Sequence, residues 1–307
     1  MKIFSPVTQS QNVEHLDKIS KESIIRNYAN DLDIDVSRFF YNIETVQIIK
    51  CLDTGYLFYY PFDIYGDEKF YDELKIQLPV KYNSPYYSSC KWEYDMCSDF
   101  IKVSDKVFEI GCGFGDFLLK LKSKGILHVS GIELNQDSVY QCRKKGINVE
   151  NSFIEDKAKE IEEEFDVVCS FQVLEHVANI KSFLDASIKV LKKGGLLMIA
   201  VPFNDPFLFK NDKFNTLNMP PHHMGLWGKK AFENLSKIFP IEVEHIIIER
   251  LASSGYDFEQ YYSVNKNINF PSTFVFKKIY DKLYYKWLKR NHSKKNGKNI
   301  IAIYRKR

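Results

Sequence analysis

The 307-residue sequence predicts an α/β fold, a seven-stranded and mostly parallel sheet with helices on both faces. Two observations carry this. From residue 106 the chain alternates short apolar, β-branched runs (KVFEIG, HVSGIEL, INVEN, FDVVCSF, LLMIAVPF) with amphipathic ones, and IEVEHIIIERL and NIIAIYRK add a sixth and a seventh strand. Glycines also stand where the helices must stop, at Gly125, Gly146 and Gly194-Gly195, positions that favour positive φ.

Ahead of this core, residues 1–100 read as a cap. Residues 1–45 are poorly periodic and predict one helix near Lys21–Asn30. In TVQIIKCLDTGYLFYYP, Val46 and Ile48 and then Tyr56, Phe58 and Tyr60 alternate about an Asp-Thr-Gly break, which predicts a hairpin. DEKFYDELKIQL (Asp67–Leu78) predicts a helix, and KYNSPYYSSCKWEYDMCSDFIK contains another. Residues 101–307 hold the main domain, with helices near Phe114–Lys124, Gln136–Lys145 and Asn179–Lys192. A polar and aromatic loop follows at 204–228, then the short helix KKAFENLSKIF. An insertion at 252–298 precedes the last strand and includes a basic, aromatic helix near Phe274–Lys289.

Composition narrows the class. Apolar content of 45% and charged content of 27% are ordinary for a soluble globular chain. No apolar run reaches the roughly 18 residues of a membrane span, and MKIFSPVTQSQ lacks a stretch of signal-peptide character, so a cytoplasmic protein is expected. Cys51, Cys90, Cys97, Cys112, Cys142 and Cys169 form no CxxC pair and predict reduced thiols, without a structural zinc. The net charge of +3 is unevenly placed: Lys277–Arg307 carries twelve Lys and Arg against the single acid Asp281, a net +11 that leaves −8 on the rest.

The chemistry concentrates in VFEIGCGFGDFLLKL. Glycines between a strand and a helix let a ligand approach the backbone, and two ligands compete. A dinucleotide turn wants GxGxxG facing a pyrophosphate. Here the spacing is GxGxG, at Gly111, Gly113 and Gly115, and Glu109 stands two residues earlier. A carboxylate there opposes a pyrophosphate and suits an ammonium and a sulfonium. Glu133, ending GIEL, can accept hydrogen bonds from ribose hydroxyls.

These segments, with FDVVCSFQVLEHV and VLKKGGLLMIAVP, resemble in order and spacing the signatures of the class I S-adenosylmethionine-dependent methyltransferases, over about Val107–Phe203. The resemblance implies a Rossmann-like fold and S-adenosylmethionine as cofactor. It places Gly111, Cys112, Gly113 and Gly115 under the methionine part with Glu109 beside it, and Glu133 and Leu134 at the ribose. Ser152 and Phe153 fall around the adenine, with Glu155 or Asp156 as the acid of that loop, and Phe171 and Gln172 at the sulfonium.

For the transfer itself, Glu175-His176 closes the fourth strand of the alternation, at the edge where open α/β sheets bind ligands, and His176 can act as a base. NMPPHHMGLWGKKAFENL resembles a stretch of methyltransferases from cell-surface sugar clusters. This implies His222, His223 and Trp227 on the acceptor side, a carbohydrate or other small-molecule acceptor, and O-methylation with His176 or His223 as base and Glu175 beside them. Ubiquinone-type and small-RNA 2′-O-methyltransferases are also similar, with ExxEH and a later His-x-x-x-Trp. That reading would join Glu175, His176 and His223 to a divalent metal, but Gln172 replaces the first acid and no metal is expected. CLDTGYLFYYP resembles the tail of a degenerate zinc ribbon, and Tyr86 and Tyr87 sit where such proteins close over the site. RNA or quinone methylation, and a binding subunit without catalysis, are the alternatives. The basic helix is expected to pack its aromatics on the domain; contact with an anionic membrane face, RNA or a phosphorylated glycan is the other reading.

Overall fold

A computed structural model of the chain describes residues 2–82, 91–204, 215–253, 256–266 and 274–307. In chain order the elements are β1 (Val13–Ser20), α1 (Lys21–Leu32), β2 (Thr45–Cys51), β3 (Leu57–Tyr60), α2 (Glu68–Tyr82) and α3 (Trp92–Ser98). Then come β4 (Val107–Ile110), α4 (Asp116–Ser123), β5 (Val129–Ile132), α5 (Gln136–Lys144), β6 (Asn148–Glu150) and α6 (Ile154–Glu160). They are followed by β7 (Phe165–Phe171), α7 (Ile180–Val190), β8 (Leu191–Pro202), β9 (Gly225–Leu226) and α8 (Lys229–Leu235). The chain closes with β10 (Ile241–Arg250), α9 (Tyr256–Lys266), α10 (Phe274–Asn291) and β11 (Asn296–Lys306).

The main sheet has seven strands in the order β10-β11-β8-β7-β4-β5-β6. The five strands β4 to β8 run parallel, and β11 is antiparallel to both of its neighbours. Alternate residues of one strand feed opposite cores, as a period of two requires. Phe108, Ile110, Val168, Ile199 and Val201 face Ile180, Leu184 and Ile188 of α7. Val107, Val167, Cys169, Met198 and Ala200 face Tyr94 and Cys97 of α3 and Phe117 and Leu121 of α4. The order reverses between β4 and β7, so the loops after these strands open a crevice at one edge of the sheet.

The cap is a four-stranded antiparallel sheet, β1-β2-β3-β9. Its core joins Ile24, Tyr28 and Leu32 of α1, Val46 and Ile48 of β2 and Phe70 and Leu74 of α2 to Met219, Met224 and Leu226. The predicted hairpin is β2–β3, but the cap does not end near residue 100: the loop at 204–228 supplies its fourth strand.

Three expectations need correction. β1 had no periodic signal, because it is an edge strand with only Ile19 buried. Gly194-Gly195 do not close a helix: α7 stops at Val190, Leu191 is already extended, and Gly194, at φ +75°, lies inside β8. Among the described residues the insertion holds a second helix, α9, that the sequence did not predict beside the basic α10. The described cysteines are free and buried, while Cys90 lies outside the described residues. No described helix is long and apolar enough to cross a membrane.

Candidate active site

The crevice is built first by the glycine turn between β4 and α4. Gly111 has φ +72°, and a Cβ there would lie 2.5 Å from Cγ2 of Val173. Gly115 has φ +75°, and its Cβ would lie 2.5 Å from Cδ1 of Ile147. Left-handed backbone and close approach both demand glycine. The contact at Gly111 also seats this turn against the 172–177 turn that follows β7.

Glu109 of β4 is buried, and its Oε2 has no hydrogen-bond partner among the described residues. Burial pushes its carboxyl well above the usual 4.5, and the charge of Lys91 offsets this only in part. Such a group can take a cationic donor. Glu133 leans over the turn: Oε2 accepts the Gly113 N–H at 2.9 Å and Oε1 the Asn135 N–H at 2.9 Å. Each oxygen keeps a second lone pair for a ribose hydroxyl. Beyond it Leu134 and Phe153, 52% and 57% exposed, follow the neighbouring strands β5 and β6, and Asn151 Nδ2 donates to the carbonyls of Glu133 and Leu134. Two bare apolar side chains there suit a purine. Acid for ammonium, acid for ribose and apolar clamp for adenine together fit S-adenosylmethionine. Ser152 donates to the Phe153 carbonyl, and Glu155 and Asp156 lie in the first turn of α6.

The second half of the crevice is a histidine cluster. His176 ends the turn after β7, and His222 and His223 come from the Pro220-Pro221 loop. Ring centroids are 4.7 Å apart for His176 and His222, 4.9 Å for His176 and His223, and 4.4 Å for His222 and His223. Each Nδ1 meets an oxygen: His176 the His222 carbonyl at 2.7 Å, His222 the Leu217 carbonyl at 2.8 Å, and His223 the Asn218 Oδ1 at 3.1 Å. These oxygens only accept, so Nδ1 carries the proton and Nε2 the lone pair. Burial lowers His176 to about 4 and His222 to about 3, the latter with help from His176, and it drives His223 well down. The rings are therefore neutral near pH 7. Glu175 is buried, with Oε1 3.8 Å from His176 Nε2 and Oε2 without a partner among the described residues; burial raises it to about 8. One nitrogen from each ring can be chosen so that all three lie within 4.8 Å of one another, a set able to take a metal ion. The sequence reading had named only His176 and His223 with Glu175 for such a set.

The cap holds this cluster in place. Tyr28 of α1 donates to the Met219 carbonyl and Tyr59 of β3 to the Asn218 carbonyl, both at 2.9 Å. Asn218 in turn donates to Asn204 Oδ1 at 2.7 Å. The amides of Met224 and Gly225 donate to the Glu175 carbonyl, which ties the loop to the strand end. Tyr71 of α2 walls the cluster, with ring centroids 5.7 Å from His176 and 6.1 Å from His222. None of Tyr28, Tyr59, Tyr71, Asn204 or Asn218 was singled out from sequence. A tyrosine in an amphipathic run looks like any other core aromatic, and only its tertiary partner reveals the hydroxyl's task.

Three expected site side chains are placed elsewhere. Phe171 is core, packed on Phe117 at 4.8 Å and Tyr94 at 5.4 Å. Cys112 turns its thiol into the core of α4 and α5, and its amide already donates to the Ile132 carbonyl. Trp227 is fully buried between Tyr56 and Phe232, at 4.3 and 4.8 Å, and lines no acceptor space. Gln172 stays at the crevice with φ +58°, donating to Glu93 Oε1 at 3.2 Å and Asn299 Oδ1 at 3.4 Å. Tyr86 and Tyr87 lie outside the described residues.

The chain is similar to known methyltransferases. The ubiquinone biosynthesis O-methyltransferase of Dictyostelium discoideum mitochondria is 31% identical over 117 residues, which is 33% of this chain and 36% of that protein. The ubiquinone biosynthesis O-methyltransferase of Hydrogenovibrio crunogenus is 31% identical over 108 residues, 33% of this chain and 44% of that protein. The match thus spans less than half the length of either relative. A solved SAM-dependent methyltransferase from Archaeoglobus fulgidus aligns with TM-score 0.49 and 18% identity over 78% of this chain and all of that one. A family profile described as a methyltransferase domain matches residues 86–245, just over half of the chain. The chain belongs to that methyltransferase domain family, of the class I type whose cofactor is S-adenosylmethionine.

Proposed function

We propose that this chain is an S-adenosylmethionine-dependent O-methyltransferase acting on a hydroxyl held against the histidine cluster. The observation that carries the reading is the cluster itself: three neutral imidazoles, their Nδ1 protons already committed, one of them on a turn packed against Gly111. The bound cofactor supplies an electrophilic methyl group on its sulfonium. Glu109 and Glu133 orient it from one side. From the other, His176 is the base, because its side chain is 22% exposed while His223 is sealed in. Its Nε2 takes the hydroxyl proton, and the Glu175 carboxyl, raised to about 8 by burial, lies 3.8 Å away. His222 positions the base through the 2.7 Å bond from His176 to the His222 carbonyl, and the His223 ring packs against it at 4.9 Å.

The acceptor is a small hydroxylated ring. The PPHH resemblance supports a sugar, sugar nucleotide or surface glycan, and the names of the relatives support a phenolic ring. The aromatic wall of Tyr71 suits either. Incubation with methyl-labelled S-adenosylmethionine and separate sugar and phenol acceptors tests the reading. Label in either class, reduced about 10²–10⁴-fold by His176→Ala with cofactor binding intact, supports it; label in RNA alone contradicts it.

The histidine geometry also favours a second reading, in which a divalent cation held by His176, His222 and His223 acidifies the acceptor hydroxyl. Activity that is lost on chelation and restored by Zn²⁺ or Mn²⁺ would select it.

A further inference from the structure

Helix α10 carries two apolar faces where a packed helix needs one. On one face Leu288 is buried with Leu251 and Phe258, and Tyr285 meets the Phe258 ring edge-on at 5.4 Å. Ile279, Leu283 and Trp287 stand on another, at i, i+4 and i+8, and form a single stripe. They are 58%, 61% and 47% exposed. The aromatic-packing expectation therefore holds only for the Leu288 side. Along one border of the stripe run exposed Lys282, Lys286 and Arg290. Along the other, the rings of Tyr280, Tyr284 and Trp287 stack in sequence at 6.0 and 5.8 Å.

We propose that this face docks the protein on an anionic phospholipid bilayer. An apolar stripe with a Trp, edged by lysines on one side and by amphipathic tyrosines on the other, is what an interfacial helix presents to headgroups and upper acyl chains. Charge selects the occupant. Helix α10 itself carries six Lys and Arg against the single acid Asp281, a net +5, so an anionic surface attracts this helix. A second copy laid stripe to stripe would set lysine rows against each other. RNA fits less well, since it could stack on Tyr280, Tyr284 and Trp287 but would leave the exposed Ile279 and Leu283 uncovered. The inference is independent of the acceptor and of the chemistry at the histidines.

Flotation of the full chain with vesicles tests it, using phosphatidylcholine with and without phosphatidylglycerol. Binding is expected only with phosphatidylglycerol and is weakened by salt. The triple variant Ile279→Ser/Leu283→Ser/Trp287→Ser should bind at least ~10-fold more weakly. Lys282→Gln/Lys286→Gln should lose about fivefold per lysine. All these side chains are exposed, and circular dichroism checks that the variants fold. S-adenosylhomocysteine binding, measured in the same samples, separates failure here from failure of the methyltransferase reading. No binding to phosphatidylglycerol vesicles at low salt, or undiminished binding by the triple variant, overturns the proposal. So does self-association or RNA binding that the triple variant abolishes in a chain that ignores vesicles.

Discussion

At the residue scale, Glu109 buries a carboxyl oxygen, Oε2, that has no partner among the described residues. Glu109 is held above its usual 4.5 by burial, so the folded chain keeps a proton that the unfolded chain gives up above that pH. Its contribution to stability is complete below 4.5 and is lost as pH rises through the folded value. A ligand ammonium favours the charged form, so binding must release this proton. Titration calorimetry in buffers of different ionisation enthalpy should detect proton release on S-adenosylhomocysteine binding, with affinity rising with pH. Glu109→Gln should abolish both effects; an unchanged proton count would remove Glu109 from the site. Glu109, Glu133 and the three glycines were legible in the sequence, because strand–turn–helix chemistry is local. Phe171, Cys112 and Trp227 were misplaced for the opposite reason: a motif gives a position along the chain and does not say which way the side chain turns.

At the element scale the cap serves as a clamp on the histidine loop. Tyr28 and Tyr59 reach across from α1 and β3 to carbonyls on either side of the Asn218–Met219 peptide bond. Replacing both by Phe removes two buried hydrogen bonds, at about 1 kcal/mol each. Turnover by Tyr28→Phe/Tyr59→Phe should fall while S-adenosylhomocysteine affinity stays, since the glycine turn makes no contact with the cap tyrosines through these bonds. Equal loss of both would mean that the cap supports the whole crevice. The alternation of strands and helices was readable because parallel central strands are continuous apolar runs. The edge strand β1 and the pairing of β9 with β3 were not: the first buries one side chain, and the second is two residues long and set by tertiary contact.

At the scale of the whole molecule, two sheets meet at one crevice, with Glu109, Glu133 and the Glu175-His176 turn on the main sheet and His222 and His223 on the loop that the cap holds. Gly111 is the hinge of that arrangement in space, since its missing Cβ lets Val173, and with it the Glu175-His176 turn, sit against the cofactor turn. Gly111→Ala should therefore weaken cofactor binding and lower stability by about 1–3 kcal/mol in a thermal or denaturant melt. The sequence foresaw the seven-stranded fold and the uneven charge, but not that the charged helix would leave an apolar stripe bare, because one helical period cannot tell two apolar faces apart until the packing partner is known. The most direct test of the central claim, that the glycine turn holds S-adenosylmethionine and not a dinucleotide, is equilibrium binding of S-adenosylhomocysteine and of NAD to the intact chain and to Gly111→Ala. The account predicts that S-adenosylhomocysteine binds, that NAD neither binds nor competes, and that the substitution weakens binding. Binding of NAD, or S-adenosylhomocysteine affinity untouched by Gly111→Ala, would contradict it.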